Sequence, residues 1–233
     1  MKTVAIIQAR MDSTRLPNKV LMNLNGISIL EQIIDFLSTS KQIDKIVVAT
    51  TFLPSDDKIE KLVNTLQVDC FRGNVNDVLD RYYQCAKKFG ADIIVRVTAD
   101  DPIILIDLID ISIEICKKTR CDYVTNLLKK QFPLGICIET FTFDALKRIN
   151  QIDNQPNSRE HVTQHMLDNP SMYHIEHIQT SSHLFRPNWR LTIDYMEDLR
   201  RMEKIFSTFL KNKKIIKYDE LVELLDGNNE ILK

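Results

Sequence analysis

Three positively charged residues, Arg10, Arg15 and Lys19, lie within ten positions near the start of the chain. Arginine binds phosphate oxygens in bidentate geometry and lysine adds a mobile point charge, so together they can neutralise a departing pyrophosphate. The segment lacks the GxGxxG and GxxxxGK[ST] patterns, which disfavours dinucleotide hydride chemistry and ordinary NTP hydrolysis. The spacing therefore indicates a phosphate-binding loop, although a solvated basic turn is an equally good interpretation of spacing alone.

Carboxylates follow two strand-like apolar runs at distant points of the chain. Asp100 and Asp101 end the first run, and Asp194 ends the second. Mg²⁺ takes one or two carboxylates together with phosphate oxygens and water, so Asp100 and Asp194 are the expected metal ligands. We expect Asp101 to cap the next helix, and Asp198 to be a first-turn acid that the helix macrodipole favours.

The first half of the chain alternates short β-branched runs with amphipathic stretches of helical length. This alternation is typical of a parallel α/β sheet flanked by helices, in which ligands bind at the carboxyl ends of the strands. Predicted strands are Thr3–Gln8, Lys45–Thr50, Asp92–Thr98 and Asp122–Asn126. Predicted helices are Ser28–Thr39, Asp56–Leu66, Asn76–Phe89 and Ile106–Lys118.

The alternation breaks after Asn126, where a loop over Leu127–Gly135 is expected. The remaining predicted strands are Ile136–Thr140, Tyr173–Ile178 and Trp189–Asp194. The remaining predicted helices are Phe143–Ile149, Ser158–Leu167, Glu197–Leu210 and Tyr218–Leu225. No repeat or linker divides the chain, so a single domain over residues 1–233 is expected.

Composition excludes several classes of protein. The 31 basic and 32 acidic residues nearly cancel, so the global charge predicts neither a nucleic-acid partner nor an acidic membrane. The apolar run Met1–Ile7 is too short for a secretory signal and no stretch is long enough to span a membrane, so we expect a cytoplasmic protein without membrane insertion. Five cysteines without a CxxC pair are expected to be reduced thiols.

Five segments together resemble one enzyme family: IIQARMDSTRLPNKVL, RGNVNDVLDRYYQCA, VRVTADDP, REHVT and RLTIDYMEDL. They look like the spore-coat polysaccharide cytidylyltransferase family, which is related to the acylneuraminate and ketodeoxyoctonate cytidylyltransferases. The matches are collinear from Ile6 to about Leu199. The resemblance implies a GT-A-like nucleotide-diphospho-sugar transferase fold with a mixed, mostly parallel sheet. It also implies CTP as donor, Mg²⁺ or Mn²⁺ as cofactor, a sugar-type acceptor and pyrophosphate release.

The resemblance also assigns roles to residues. It implies that residues 1–126 bind the nucleotide, whereas residues 127–233 bind the acceptor and complete the metal site. Metal binding falls to Asp100 and Asp194, and Asp77 and Arg81 would organise the surroundings of the nucleoside. The implied nucleotide-binding residues are Gln8, Ala9, Arg10, Arg15, Lys19, Arg72, Gly73 and Thr98. The implied acceptor-binding residues are Glu139, Arg159, Glu160 and His161.

Departures from the family pattern leave alternatives open. Asp12 and Asn18 stand where the family usually has glycine, and both residue types tolerate left-handed backbone. Cys137 stands where the family usually has an acid, and Glu139 is either an acceptor contact or an exposed residue without a role. A different base, a phosphorylated non-sugar acceptor or a non-catalytic nucleotide-binding relative therefore remain alternatives. Related enzymes are often homodimers, so a homodimer is one expected assembly.

Overall fold

A seven-stranded mixed sheet forms the centre of the protein in a computed structural model that describes residues 1–208 and 215–232. The strands are β1 (Thr3–Gln8), β2 (Asn23–Leu24), β3 (Ile27–Ser28), β4 (Lys45–Thr51), β5 (Asp69–Gly73), β6 (Ile93–Thr98), β7 (Tyr123–Thr125), β8 (Glu139–Thr142) and β9 (Ile175–His177). The sheet order is β5-β4-β1-β6-β8-β7-β9, and β2 pairs with β3 in a separate hairpin. Only β8 pairs antiparallel with its neighbours in the large sheet, so the predicted mixed, mostly parallel sheet is confirmed.

Helices cover both faces of this sheet. In the described residues they are α1 (Ile29–Leu37), α2 (Asp57–Thr65), α3 (Val78–Phe89), α4 (Ile106–Thr119), α5 (Phe143–Ile152), α6 (Pro156–His161), α7 (Gln164–Asp168), α8 (Met196–Thr208) and α9 (Tyr218–Asp226). Side-chain caps begin several of them: Ser28 accepts from the Glu31 N–H, and Asp77 accepts from the Asp80 N–H. Gly90, in left-handed backbone, ends α3.

Strand β1 contributes to a hydrophobic core on each face. Ala5 and Ile7 pack with α1, α4 and α8 on one face, whereas Val4 and Ile6 pack with α3 and α5 on the other. Successive side chains of a strand point to opposite faces, so a strand buried on both sides reads as a continuous apolar run. Strand β1 is accordingly buried along its length up to Ile7, and it ends at the half-buried polar residue Gln8.

Most predicted elements of the first half are confirmed to within about two residues at each end, but β5 and the short hairpin strands β2 and β3 were missed. Its sequence, Asp69–Gly73, is only partly buried and lies at the edge of the sheet, so it carries no apolar run. In the second half, β8 begins at Glu139 instead of Ile136, and β9 spans only Ile175–His177.

Three predictions for the second half need correction. The strand predicted at Trp189–Asp194 is wrong, because this segment makes only an isolated bridge between Leu134 and Arg190. The single helix predicted at Ser158–Leu167 is divided into α6 and α7 by Val162, whose φ of 57° interrupts the helix. The predicted helix end at Leu210 lies outside the described residues.

A glycine explains the course of the segment around Leu191. Gly135 has a φ of +99°, and a Cβ at this position would overlap the Leu191 carbonyl and approach the Thr192 nitrogen to 2.7 Å. The loop backbone therefore lies directly against the segment that precedes Asp194. Close contact with this loop, not pairing in the sheet, fixes the backbone at Leu191 and Thr192, just before Asp194.

Two predictions from composition can be compared with the structure. All five cysteines are free thiols, as expected. No helix among the described residues is long and apolar enough to cross a bilayer.

Candidate active site

A polar cavity opens at the carboxyl ends of β1 and β6, whose last residues, Gln8 and Thr98, are paired in the sheet. Its volume is about 270 Å³, near the lower end of the range of small-molecule sites. Its walls come from the basic loop, from the residues after β6, and from α3 and α6. The lining residues with polar side chains are Gln8, Arg10, Ser13, Thr14, Arg15, Lys19, Arg81, Arg96, Thr98, Asp100, Glu160 and His161.

Lys19 joins the two predicted metal ligands. Its ammonium donates to Asp100 Oδ2 at 2.9 Å and to Asp194 Oδ1 at 3.3 Å, and also to the Ile193 carbonyl at 2.8 Å. Lys19 is only 7% exposed. Lysine is rarely buried unless its charge is paired, and here these three acceptors pair it. The structure therefore brings Asp100 and Asp194, which are far apart in sequence, to one buried positive charge.

Asp194 is also held by two arginines. Arg15 contacts Asp194 Oδ1 at 2.6 Å, and Arg190 contacts Asp194 Oδ2 at 2.5 Å. Asp198 in turn accepts from Arg190 and from the backbone N–H groups of Asp194 and Tyr195. Asp198 is thus the expected first-turn acid, now with a defined set of partners. The sequence analysis missed the role of Arg190, although its position four residues before Asp194 was a usable signal.

Asp101 does not have its predicted role. Helix α4 begins at Ile106 and has no side-chain cap, so capping by Asp101 is wrong. Instead Asp101 accepts a 2.7 Å hydrogen bond from the Thr98 hydroxyl. Burial and the neighbouring Asp100 carboxylate raise the pKa of Asp101 to about 7. Burial also acts to raise the pKa of Asp100, but the ammonium of Lys19 outweighs it and lowers that pKa.

The basic loop is only partly engaged within the protein. Arg10 lines the cavity, is exposed, and makes no hydrogen bond or ion pair within the described residues. Asn18 takes the left-handed backbone expected of it, with a φ of 62°, whereas Asp12 does not. All three predicted phosphate-binding side chains therefore reach one cavity, and Arg10 has its full hydrogen-bonding capacity available for a ligand.

The residues fit a divalent cation that shares its ligands with a substrate. No group of three or more histidine, cysteine, aspartate or glutamate side chains suited to a metal occurs within residues 1–208 and 215–232. Two carboxylates nevertheless face one cation, the Lys19 ammonium. Mg²⁺ suits this arrangement because it takes few carboxylates and completes its shell with phosphate oxygens and water.

Two predicted nucleotide-binding residues, Arg72 and Gly73, lie outside the cavity lining. The Arg72 guanidinium bridges Asp57 and Glu60 at 2.6 and 2.9 Å and donates to two backbone carbonyls. Gly73 lies against the side-chain stem of Arg81. Contact of Arg72 or Gly73 with a nucleoside stays a prediction, whereas Ala9 and Thr98 do line the cavity.

The predicted acceptor residues divide into two kinds. Glu160 and His161 line the cavity and are exposed to it. Glu139 is 1% exposed and accepts from Tyr123 at 2.7 Å, so the interpretation as an exposed residue without a role is wrong. It also pairs with Arg96, which does line the cavity. Contact of Glu139 with an acceptor stays a prediction.

Arg159 links the wall of the cavity to α3. It pairs with Asp77, the N-cap of α3, at 2.7 Å, and donates to the Asp153 carbonyl at 2.7 Å. This contact places the next two residues, Glu160 and His161, at the cavity. Near Arg96, burial raises the pKa of Cys137 well above its usual value, so this thiol supplies no charge where the family usually has an acid.

Comparisons with known proteins point to one enzyme family. A family model described as cytidylyltransferase matches residues 4–226. The spore coat polysaccharide biosynthesis protein SpsF of Bacillus subtilis is 32% identical over 230 residues, which cover 96% of this chain and 93% of that protein. A cytidylyltransferase structure from Leptospira borgpetersenii superposes with a TM-score of 0.91 at 33% identity, covering 100% of this chain and 97% of that chain.

A more distant structure shares the fold. It is CMP:2-keto-3-deoxy-manno-octonic acid synthetase complexed with CTP, with a TM-score of 0.70 at 16% identity. The superposition covers 89% of this chain and 99% of that chain. The predicted nucleotidyltransferase fold is thereby confirmed.

Proposed function

Because this chain belongs to the cytidylyltransferase family of CTP-dependent nucleotidyltransferases, we propose that it transfers CMP from CTP to a sugar or sugar-acid acceptor. An acceptor oxygen attacks the α-phosphorus, the bond from that phosphorus to the bridging oxygen breaks, and pyrophosphate leaves. The product would be a precursor of a surface polysaccharide or another glycan. The observation that carries the proposal is the meeting of Lys19, Asp100 and Asp194 beside a cavity lined with further cations.

The phosphate-binding role falls to Arg10, Arg15 and Lys19. Arg15 and Lys19 contact the two aspartates in the structure, so bound phosphates would compete with these carboxylates for the cations. When Arg15 and Lys19 contact the phosphates instead, Asp100 and Asp194 would be available to hold Mg²⁺ or Mn²⁺. The bound metal supplies Lewis-acid polarisation of the phosphate. Positive side chains then stabilise the charge of the leaving pyrophosphate.

The acceptor side is formed by α6. Glu160 and His161 present hydrogen-bonding groups to the cavity beside Arg96. The similarity to SpsF and the sugar-acid substrate named for the more distant synthetase support a sugar-type acceptor. The uncharged Cys137 leaves this side without the acid that the family usually has there, so the acceptor would not require that contact.

We also propose that residues 1–233 act as one domain in the cytoplasm, where CTP is made. Residues 1–126 would bind the nucleotide, and residues 127–233 would bind the acceptor and complete the metal site. The homodimer seen in related enzymes is one assembly compatible with this arrangement. Analytical ultracentrifugation would measure the assembly directly.

A metal-dependent assay of pyrophosphate release tests the proposed function. Purified protein with CTP and MgCl₂ should release pyrophosphate with at least one member of a panel of sugar acids and sugar phosphates. Asp100→Asn should lower turnover by at least about a hundredfold, because it removes a metal-binding charge. Asp168→Asn, on the exposed end of α7, is the matched control and should leave turnover unchanged.

The same assay separates the alternatives. Preference for ATP, GTP or UTP over CTP would favour a different base. Turnover only with phosphorylated non-sugar acceptors would contradict the sugar acceptor. Tight CTP binding without turnover across the whole panel would favour a non-catalytic relative, and near-normal turnover of Asp100→Asn would rule out its metal role.

A further inference from the structure

Arg81, on the first turns of α3, is a buried positive charge without a negative partner. It is 2% exposed, and no carboxylate within the described residues forms an ion pair with it. Other partly buried arginines are neutralised: Arg96 pairs with Glu139, and Arg159 pairs with Asp77. A buried charge that lacks a partner costs several kcal/mol, so its retention calls for an explanation.

The guanidinium of Arg81 has unused donors. Its Nη1 donates to the Asn74 carbonyl at 2.7 Å, whereas Nε is buried without a partner and Nη2 makes no hydrogen bond within residues 1–208 and 215–232. Because the side chain lines the cavity, a bound ligand could reach the guanidinium. Its stem is held against Gly73, where an added Cβ would lie 2.9 Å from Arg81 Cγ. The absence of a side chain at Gly73 thus leaves room for Arg81 to extend toward the cavity.

Arg10 is a second cation of this cavity without an acidic partner. It lines the cavity, is exposed, and forms no ion pair within the described residues. Burial, and to a smaller extent the nearby Arg10 charge, lower the pKa of Arg81, although the carboxylates of Asp56 and Asp77 act in the opposite direction. The other loop cations, Arg15 and Lys19, are already engaged by aspartates. Arg10 and Arg81 therefore face the cavity without an ion-pair partner, in contrast to Arg15 and Lys19.

We propose that Arg81 binds the nucleotide and that the phosphate oxygens of bound CTP supply its counter-charge. Arg10 would bind the same phosphates. This inference rests on the proposed function, because it takes CTP as the ligand. The phosphate oxygens of a triphosphate accept hydrogen bonds from both guanidinium groups at once, and the triphosphate carries enough negative charge to neutralise both arginines. The Arg81 guanidinium would thus lack a counter-charge in the free protein and would be neutralised only when the nucleotide binds.

This role predicts opposite effects on stability and on binding. Arg81→Met keeps most of the buried apolar stem and removes the unpaired charge. The ligand-free variant should therefore melt at the same temperature as the wild type or higher. Its dissociation constant for CTP should rise on the order of ten- to a hundredfold, because a charge-assisted hydrogen bond is lost. A structural role would instead lower the melting temperature.

Calorimetry of the full-length protein with CTP, CMP and cytidine, combined with thermal unfolding, tests the inference. Arg81→Met should weaken CTP binding but leave cytidine binding unchanged, and Arg81→Lys should bind CTP with intermediate affinity. Arg148→Met is the matched control, because Arg148 is half-exposed and paired with Asp122 away from the cavity. It should bind CTP as the wild type does.

Each contrary outcome has a distinct meaning. Unchanged CTP affinity in Arg81→Met would overturn the inference and leave the proposed function intact. An equal loss of cytidine and CTP affinity would show that Arg81 contacts the nucleoside, and it would overturn the assignment of Arg81 to a phosphate. A much lower melting temperature or failure to fold would show a structural role. A wild type that does not bind CTP would overturn the proposed function, and this inference with it.

Discussion

At the scale of single residues, Lys19 pairs with two carboxylates in the structure and contacts phosphate in the proposed reaction. In the structure its ammonium lies between the carboxylates of Asp100 and Asp194, which would otherwise repel each other. In the proposed reaction the same ammonium contacts phosphate, and a divalent cation takes its place between the carboxylates. Lysine suits this exchange because its charge lies at the end of a flexible stem with rotatable donors.

Removing the Lys19 ammonium should reveal its competition with a divalent cation for the carboxylates of Asp100 and Asp194. Lys19→Met should lower the free energy of unfolding by about 3 kcal/mol, because two carboxylates lose a buried partner. MgCl₂ should restore part of that stability without any nucleotide, and should do so more in the variant than in the wild type. Urea unfolding with and without MgCl₂ measures both effects.

The control for this experiment is Lys118→Met, which removes an exposed lysine paired only with Glu114. It should change stability little and should not alter the response to MgCl₂. If Mg²⁺ stabilises Lys19→Met no more than it stabilises the wild type, the two aspartates are not the metal ligands.

Asp101 should give the protein a pH dependence of known sign. Its pKa in the folded protein is about 7, raised from 3.8, so between these values the folded state retains a proton that the unfolded state has released. The free energy of unfolding should therefore fall as the pH rises from about 4 to about 7. Asp100 has a lowered pKa, so its contribution has the opposite sign and is lost only at more acidic pH.

Asp101→Asn should flatten this slope, because asparagine does not titrate. Urea unfolding at several pH values between about 4 and 7 would measure the slope for both proteins. Equal slopes in the two proteins would contradict the raised pKa.

Sequence reasoning at the residue scale succeeded where one residue type and its place at a strand end determine the chemistry. Arg10, Arg15, Lys19, Asp100 and Asp194 do meet at one place. Other roles depend on partners that sequence spacing does not reveal. Glu139 acquires its buried contacts from Tyr123, Thr163 and Arg96, and Arg72 is engaged by acids on α2. The unpaired charge of Arg81 likewise becomes visible only in the structure, where no carboxylate of the described residues forms an ion pair with it.

At the scale of elements, local periodicity predicted the strands and helices that the two cores require. It failed where backbone contacts decide the path of the chain. Trp189–Asp194 has the alternation of a strand, but its backbone packs against Gly135 and makes one isolated bridge. Val162 has an unfavourable positive φ for a β-branched residue, so no sequence pattern indicated that the predicted helix would break there.

Gly135 should therefore be essential for placing Asp194. Gly135→Ala should lower the free energy of unfolding by about 3 kcal/mol, because the new Cβ overlaps the Leu191 backbone in addition to straining a positive φ. It should also reduce turnover by displacing Asp194. Urea unfolding and the pyrophosphate assay measure these two effects.

Gly26→Ala is the matched control, because Gly26 also has a positive φ of +103° but no atom within 4 Å of an added Cβ. It should cost only the backbone strain, about 1 kcal/mol, and leave turnover unchanged. Equal costs at the two glycines would contradict the close contact between Gly135 and Leu191.

At the scale of the whole molecule, both halves of the chain contribute to one site and to each of the two hydrophobic cores. Lys19 comes from the first half and Asp194 from the second, and one hydrophobic cluster contains Ile7 and Leu191 together. The net charge of −1 gives no long-range field, so attraction of a polyanion depends on the local cations of the cavity. Composition alone could not locate these cations, but it did exclude a generally basic surface.

A shared core predicts one cooperative unfolding transition. The only tryptophan, Trp189, reports on the second half, whereas far-ultraviolet circular dichroism reports on the whole chain. The urea midpoints from the two signals should coincide, and CTP with MgCl₂ should shift both to higher urea by the same amount. Two separate midpoints would contradict a single domain.

The most direct measurement is a crystal structure of the protein with CTP and Mn²⁺, in which anomalous scattering locates the metal. The account predicts a metal peak between the carboxylates of Asp100 and Asp194, with Lys19 moved from them to the phosphates. A structure in which CTP is bound but the metal lies away from both carboxylates, or Lys19 still bridges them, would contradict it.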